Sequence, residues 1–286
     1  MSGSVLNYWE LSVTLRQEDE DRIIGLLFAA GFTALSWAKE SYGMAPDDES
    51  IIKVYVPEIQ LPERKQEIMA LLSNIALQLS WSTVPETDWA ESWKRFWHAQ
   101  HVGDRLVIRP SWEPYEPSGQ EVIVIIDPQQ AFGTGTHPTT RLVLQELERY
   151  VRTDDVVFDI GTGSGILALA SVLLGAKRAI GVDVDPVAIV AANANADLNQ
   201  LRDRCEFRQG SVEMLADRAE LVLVNILAEV IVLLATPLAS LTGRRLIASG
   251  IVGHKAAQTQ AALEAAGLLL TAQRAAGEWV VQIFER

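Results

Sequence analysis

The sequence predicts a doubly wound α/β domain preceded by a small α+β domain, and three observations carry that prediction. The run Val156-Val157-Phe158-Asp159-Ile160-Gly161-Thr162-Gly163-Ser164-Gly165 is an apolar β-type stretch that stops at a glycine-rich turn. A helix-period apolar stretch, 166–170, follows at once, giving a strand-loop-helix unit with a ligand loop at its centre. Strand- and helix-type segments then alternate almost to the C-terminus, the pattern of a mostly parallel sheet with crossover helices. Ahead of them, residues 1–86 read as β-α-β-β-α-β, the order of a ferredoxin-like sandwich.

A chain of 286 residues is long enough for two domains and a substantial core. Hydrophobic residues make up 49%, and a mean hydropathy of +0.13 excludes wholesale disorder. No uninterrupted apolar run reaches the roughly eighteen residues that span a bilayer, so no membrane partner is expected. The start Met1-Ser2-Gly3-Ser4 lacks the basic and apolar regions of a signal peptide. The single cysteine, Cys205, supports neither a disulfide framework nor a thiolate metal cluster and reads as a small buried filler. A soluble cytoplasmic protein is the expectation. The net charge of −13 argues against a nucleic-acid backbone as the main partner. Residues 1–86 hold 6 Lys and Arg against 13 Asp and Glu, a net −7, and 101–286 hold 16 against 22, a net −6. An acidic surface of this kind draws basic partners.

In the first domain, 5–15 reads as a strand and 17–30 as an amphipathic helix. Glu18-Asp19-Glu20-Asp21 lies in the helix's first turn, where the dipole favours acids. Strands at 33–39 and 51–56 flank a loop. A helix at 62–79 begins on Pro62, and a fourth strand closes the unit near 79–84. Residues 87–100 read as a linker helix, in which Trp89, Trp93 and Trp97 recur every fourth residue as one packing stripe. His98 and His101 have no third ligand nearby, so no metal is expected.

The second domain, 101–286, opens with strands at 106–108 and 122–126. A glycine- and threonine-rich loop from 127 leads into a helix at 138–150, without the lysine of a phosphate-binding P-loop. After the central unit come a strand to 183, a helix at 186–199 and strands at 205–209 and 221–225. A helix at 229–240, a strand at 244–249, a helix at 254–266 and two closing strands, 268–272 and 279–284, complete the pattern.

The ligand is narrowed by detail. The dinucleotide fingerprint needs a third glycine three residues after the second, and Ile166 stands there. Asp159 precedes the glycines, and a carboxylate at that strand end suits a ligand bearing an ammonium group better than a pyrophosphate. Asp183 ends the next strand, where an acid meets ribose hydroxyls. This G-x-G-x-G pattern, with Asp159 and Asp183, resembles the first motif of class I methyltransferases, which bind S-adenosylmethionine.

Longer stretches sharpen the likeness. Asp127-Pro128, Ala131-Phe132-Gly133-Thr134-Gly135-Thr136-His137-Pro138-Thr139-Thr140, the glycine turn, and Asn225-Ile226-Leu227-Ala228 resemble the ribosomal protein L-eleven methyltransferase family. Trp89, Trp93 and Pro110-Ser111-Trp112 resemble its linker region. The likeness is dense from about residue 85 to about residue 253 and thin before it. Thr162 departs from it, since many members have cysteine there. The resemblance implies S-adenosylmethionine as donor, a substrate-recognising N-terminal domain, and amino groups of a large-subunit ribosomal protein, a basic partner, as acceptors. The other reading is methyl transfer to another protein or a small amine.

On this reading Gly161 and Gly163 permit close backbone approach to the cofactor, Asp183 takes the ribose hydroxyls and Asp159 holds the methionine ammonium, directly or through water. Thr140 and Phe132 close the pocket. Asn225, at the carboxyl edge of the sheet, accepts a hydrogen bond from the incoming amine. It resembles the Asn that opens the Asn-Pro-Pro-Tyr motif of other amino-group methyltransferases, with Ile226-Leu227 in place of Pro-Pro. His137 shapes the loop.

Overall fold

The computed structural model describes residues 8–16, 19–30, 32, 35–37, 49–57, 61–73, 75–84, 98–127 and 135–286. The chain divides into two compact units, Met1–His98 and Ala99–Arg286.

The first unit runs β1 (Tyr8–Arg16), α1 (Glu20–Ala29), β2 (Leu35–Trp37), β3 (Glu49–Pro57), α2 (Leu61–Leu72) and β4 (Gln78–Val84). The four strands form an antiparallel sheet in the order β2-β3-β1-β4. Alternation decides its buried face. Leu11, Val13 and Leu15 of β1 and Ile52, Val54 and Val56 of β3 point inward, onto Ile23 and Leu27 of α1 and Ile68 and Leu72 of α2. Each such aliphatic side chain contributes roughly 1.5–3 kcal/mol by leaving water. The helix expected to reach 79 ends at Leu72. The N–H groups of Ile75 and Ala76 both turn back to the Leu72 carbonyl, at 3.0 and 2.9 Å. Leu77 N–H then bonds Thr14 O at 2.8 Å, so pairing with β1 has already begun.

Of the expected linker helix 87–100, residues 87–97 lie outside the described residues, and so does its tryptophan stripe. Its last residue is corrected: Gln100 opens a strand, β5 (Gln100–Val102). With β6 (Leu106–Arg109) and β7 (Val122–Ile125) it makes a three-stranded sheet, antiparallel to β6, which runs parallel to β7.

The main sheet of the second unit has seven strands. Its elements are α3 (Pro138–Tyr150), β8 (Val156–Ile160), α4 (Ile166–Leu173), β9 (Arg178–Asp183), α5 (Pro186–Leu198), β10 (Cys205–Gln209) and β11 (Ala219–Asn225). They continue as α6 (Ala228–Leu233), α7 (Ala235–Leu241), β12 (Thr242–Val252), α8 (Ala256–Ala265), β13 (Leu269–Ala276) and β14 (Trp279–Glu285). The order is β10-β9-β8-β11-β12-β14-β13, parallel except for β14, which runs antiparallel to both neighbours. Strand order reverses between β8 and β11, and ligands of open α/β sheets sit at the carboxyl ends beside such a reversal. The centre is apolar on both faces: Leu221, Val222, Leu223 and Val224 are fully buried. Cys205 is buried too, and its thiol is pushed up to about 12 by burial, which leaves it an inert filler.

The helix expected over 229–240 is two helices that meet at Leu234. Pro237 has no N–H to return to the Leu233 carbonyl, so the first helix stops there.

Candidate functional site

The glycine turn joins β8 to α4 with left-handed backbone at Gly161, Gly163 and Gly165, φ +73°, +53° and +83°. Its N–H groups are engaged with β9. Gly161 and Thr162 both donate to Val182 O, at 2.9 and 3.0 Å, and Gly163 donates to Asp183 Oδ2 at 2.9 Å. The first three amides of the turn are thus spent on the neighbouring strand. What the turn sets beside a ligand is carboxylate, a poor host for pyrophosphate and a good one for a cation.

Asp159 lies beneath this turn with no solvent exposure. Its Oδ2 accepts from Thr162 Oγ1 at 2.7 Å and from Ala168 N at 3.3 Å. Its Oδ1 is buried without a partner among the described residues. Burial pushes the carboxyl up to about 7; the Thr162 and Ala168 bonds pull it down, and the negative charge of Asp183 pushes it further up. Asp183, half-buried at the end of β9, is held by Gly163 N–H and, at 3.0 Å, by Asp185 N–H, one bond to each oxygen. Each oxygen keeps a further lone pair for a hydroxyl. Val184, next in the chain, is 70% exposed beside it, an apolar surface that sequence reasoning passed over.

Asn225 ends β11. Its Nδ2 donates to Thr140 Oγ1 at 3.3 Å, while its Oδ1 is buried without a partner among the described residues. Thr140, 1% exposed on the first turn of α3, thus meets Asn225 across 85 positions of sequence. His137 is the N-cap of α3: its Nδ1 accepts from Thr139 N at 3.3 Å, and its ring stands edge-on to Trp279 with centroids 5.0 Å apart. Burial pushes its imidazolium down to about 4, so the ring is neutral and shapes the helix start. Phe132 lies outside the described residues.

Asn195 of α5 and Asn199, which caps its C-terminus, escaped sequence reasoning. Buried Asn195 accepts from Asp127 N at 2.9 Å and donates to Ser164 O at 2.9 Å, so it ties the start of the threonine-rich loop to the glycine turn. Asn199 pairs with the backbone of Ile125 through both ends of its amide, at 2.9 and 2.6 Å. The available signal was an asparagine inside a helix, where its propensity is poor and a bonding role has to compensate, with a second four residues on at the helix end.

Asp159 and His137 impose opposite pH dependence on the cofactor-free protein. Asp159 is raised from 3.8 to about 7, so the stability it contributes is complete below its unfolded value and is lost as pH rises through 7. His137 is lowered from 6.5 to about 4, so its contribution is complete above 6.5 and is lost as pH falls through 4. Melting temperatures between pH 4 and 7 check both. Asp159→Asn gains stability with rising pH relative to wild type, and His137→Asn, which keeps a capping side chain, loses it. Parallel profiles for all three proteins contradict both assignments.

The family model for "Ribosomal protein L11 methyltransferase (PrmA)" matches residues 7–286. A ribosomal protein L11 methyltransferase of Pelotomaculum thermopropionicum is 39% identical over 269 residues, covering 91% of this chain and 87% of the relative. That of Desulfitobacterium hafniense is 35% identical, covering 96% and 97%. Among solved structures, a ribosomal protein L11 methylase from Lactobacillus delbrueckii subsp. bulgaricus superposes with a TM-score of 0.63 at 32% identity, covering 66% of this chain and 99% of that one. With a class I methyltransferase sheet and a match along almost its whole length, the chain belongs to the ribosomal protein L11 methyltransferase family.

Proposed function

We propose that the protein transfers methyl groups from S-adenosylmethionine to amino groups of a large-subunit ribosomal protein, with Asn225 orienting the amine. The observation that carries the reading is Asn225 Oδ1, a buried acceptor at the carboxyl edge that has no donor among the described residues, its Nδ2 held by Thr140. A buried acceptor without a donor is costly unless a ligand supplies one. S-adenosylmethionine supplies a methyl group on a sulfonium, whose departure as a neutral thioether needs no acid.

The donor set fits this cofactor. Asp183 receives the ribose hydroxyls on the lone pairs left by Gly163 and Asp185. Asp159 receives the methionine ammonium through Oδ1, by way of a water, and ionises as that cation arrives. Thr140, on the first turn of α3, reaches the site through Asn225 as well as by lining it. The remaining work is alignment. Asn225 Oδ1 accepts an N–H of the neutral amine and so aims its lone pair along the line of displacement. The amine's surplus proton leaves to water after transfer.

Two variants separate cofactor from acceptor. Asp183→Ala weakens S-adenosylmethionine binding by roughly 1.5–3 kcal/mol, the size of a charge-assisted bond. Asn225→Ala holds cofactor affinity within a few-fold and lowers turnover about a hundredfold. Calorimetry and labelled-methyl transfer read the two; loss of cofactor affinity with normal turnover in Asn225→Ala moves that residue into the cofactor pocket.

The N-terminal unit, read as the ferredoxin-like substrate-recognition domain 1–86, has its own buried core and a net charge of −7. It speeds encounter with a basic ribosomal protein and takes no part in the chemistry. The kcat/KM for the ribosomal protein accordingly falls as salt rises through physiological ionic strength, while kcat stays level. A kcat/KM indifferent to salt contradicts electrostatic recognition.

A further inference from the structure

The turn that follows Asn225 carries Ile226 and Leu227, without prolines to stiffen it. Leu227 is 59% exposed, whereas Ile226 packs against the central core. Two glycines close on Ile226, one from each strand flanking β11. Gly161 follows β8, and a Cβ built on it would overlap Ile226 Cγ2. Gly250 lies in β12, and a Cβ there would overlap the Ile226 carbonyl oxygen, 2.7 Å from its carbonyl carbon and 3.0 Å from its nitrogen. Real side chains do not approach backbone so closely, so only glycine lets β12 come this near. The backbone at Gly250 is left-handed, φ +82°, and the β12–β14 register shifts between Ala248 and Ile251, so the regular ladder is interrupted at this point.

We propose that Ile226, clamped between Gly161 and Gly250, is a positioning residue that fixes where Asn225 points; this rests on the role given to Asn225 above. Gly250 holds the backbone of the turn and Gly161 seats its side chain. The residue immediately before Ile226 therefore inherits a fixed direction. Thr140 sets the rotation of the Asn225 amide, and the clamp sets the position of the residue that carries it. Neither glycine needs to touch the acceptor for this to govern the rate, because a misplacement of about 1 Å costs on the order of a hundredfold in a reaction that depends on alignment.

The test uses the full chain, S-adenosylmethionine and ribosomal protein L11, with cofactor affinity by calorimetry, kcat and KM by labelled-methyl transfer, and all assays well below each variant's melting temperature. Ile226→Ala lowers kcat about tenfold and Gly250→Ala about a hundredfold, with cofactor affinity and KM within about threefold of wild type. Ile226→Val, which keeps Cγ2, recovers kcat to within about threefold. The clamp is overturned if Ile226→Ala turns over normally, if kcat and cofactor affinity fall together, or if valine is no better than alanine. Should Gly250→Ala not fold, the Ile226 pair decides alone. Full turnover by Asn225→Ala overturns the parent reading and the clamp with it.

Discussion

The candidate site is built over one buried carboxylate. Asp159 takes the Thr162 hydroxyl and the Ala168 N–H on one oxygen, so the glycine turn and the start of α4 hang from it. The turn then spends its own amides on Val182 and Asp183, which fixes the second carboxylate at the end of β9. A fully buried acid with one oxygen unbonded among the described residues, and another acid close by, carries a cost of burial that a cationic ligand relieves. The same arrangement makes a pyrophosphate a poor occupant, because the amides of Gly161, Thr162 and Gly163 already bond to β9.

On the other side of the strand-order reversal, the acceptor half is assembled from distant pieces. Asn225 comes from the end of β11, Thr140 from the first turn of α3, and Asn195 from α5 joins the loop before α3 to the glycine turn. Parallel pairing of β8 with both β9 and β11 brings these ends to one edge. The chemistry requires little of the protein beyond this placement, because a thioether leaves readily. Rigid strands supply the placement better than loops do, and His137, neutral and capped against α3, adds stiffness.

Much of this was legible in the sequence. The doubly wound, mostly parallel class of the sheet follows from alternating β and α segments; its strand order does not. Asp159, the glycines, Asp183 and Asn225 stand at strand ends that the apolar runs mark. Local signals marked the glycine turn and a loop-shaping role for His137, but not that His137 caps α3. The contacts that tertiary packing alone creates were not legible. Gly161 looked like a residue for close ligand approach, yet a side chain there would also strike Ile226, sixty-five positions away. The break at Leu234 was visible in principle through Pro237, but the apolar run on either side masked it. The end of α2 depended on Leu77 pairing with Thr14, which no helix-period pattern reports. No sequence pattern pairs Asn195 and Asn199 with their partners Asp127 and Ile125, which lie about seventy positions away.

The central claim is that an acid held largely neutral in the free protein becomes the counter-ion of a cationic cofactor. Proton release on S-adenosylmethionine binding tests it most directly, by calorimetry near pH 6 in buffers of differing ionisation enthalpy. With the Asp159 carboxyl at about 7, wild-type protein releases close to one proton per cofactor bound, and Asp159→Asn releases none. Binding without proton release, or the same release from the asparagine variant, contradicts the account.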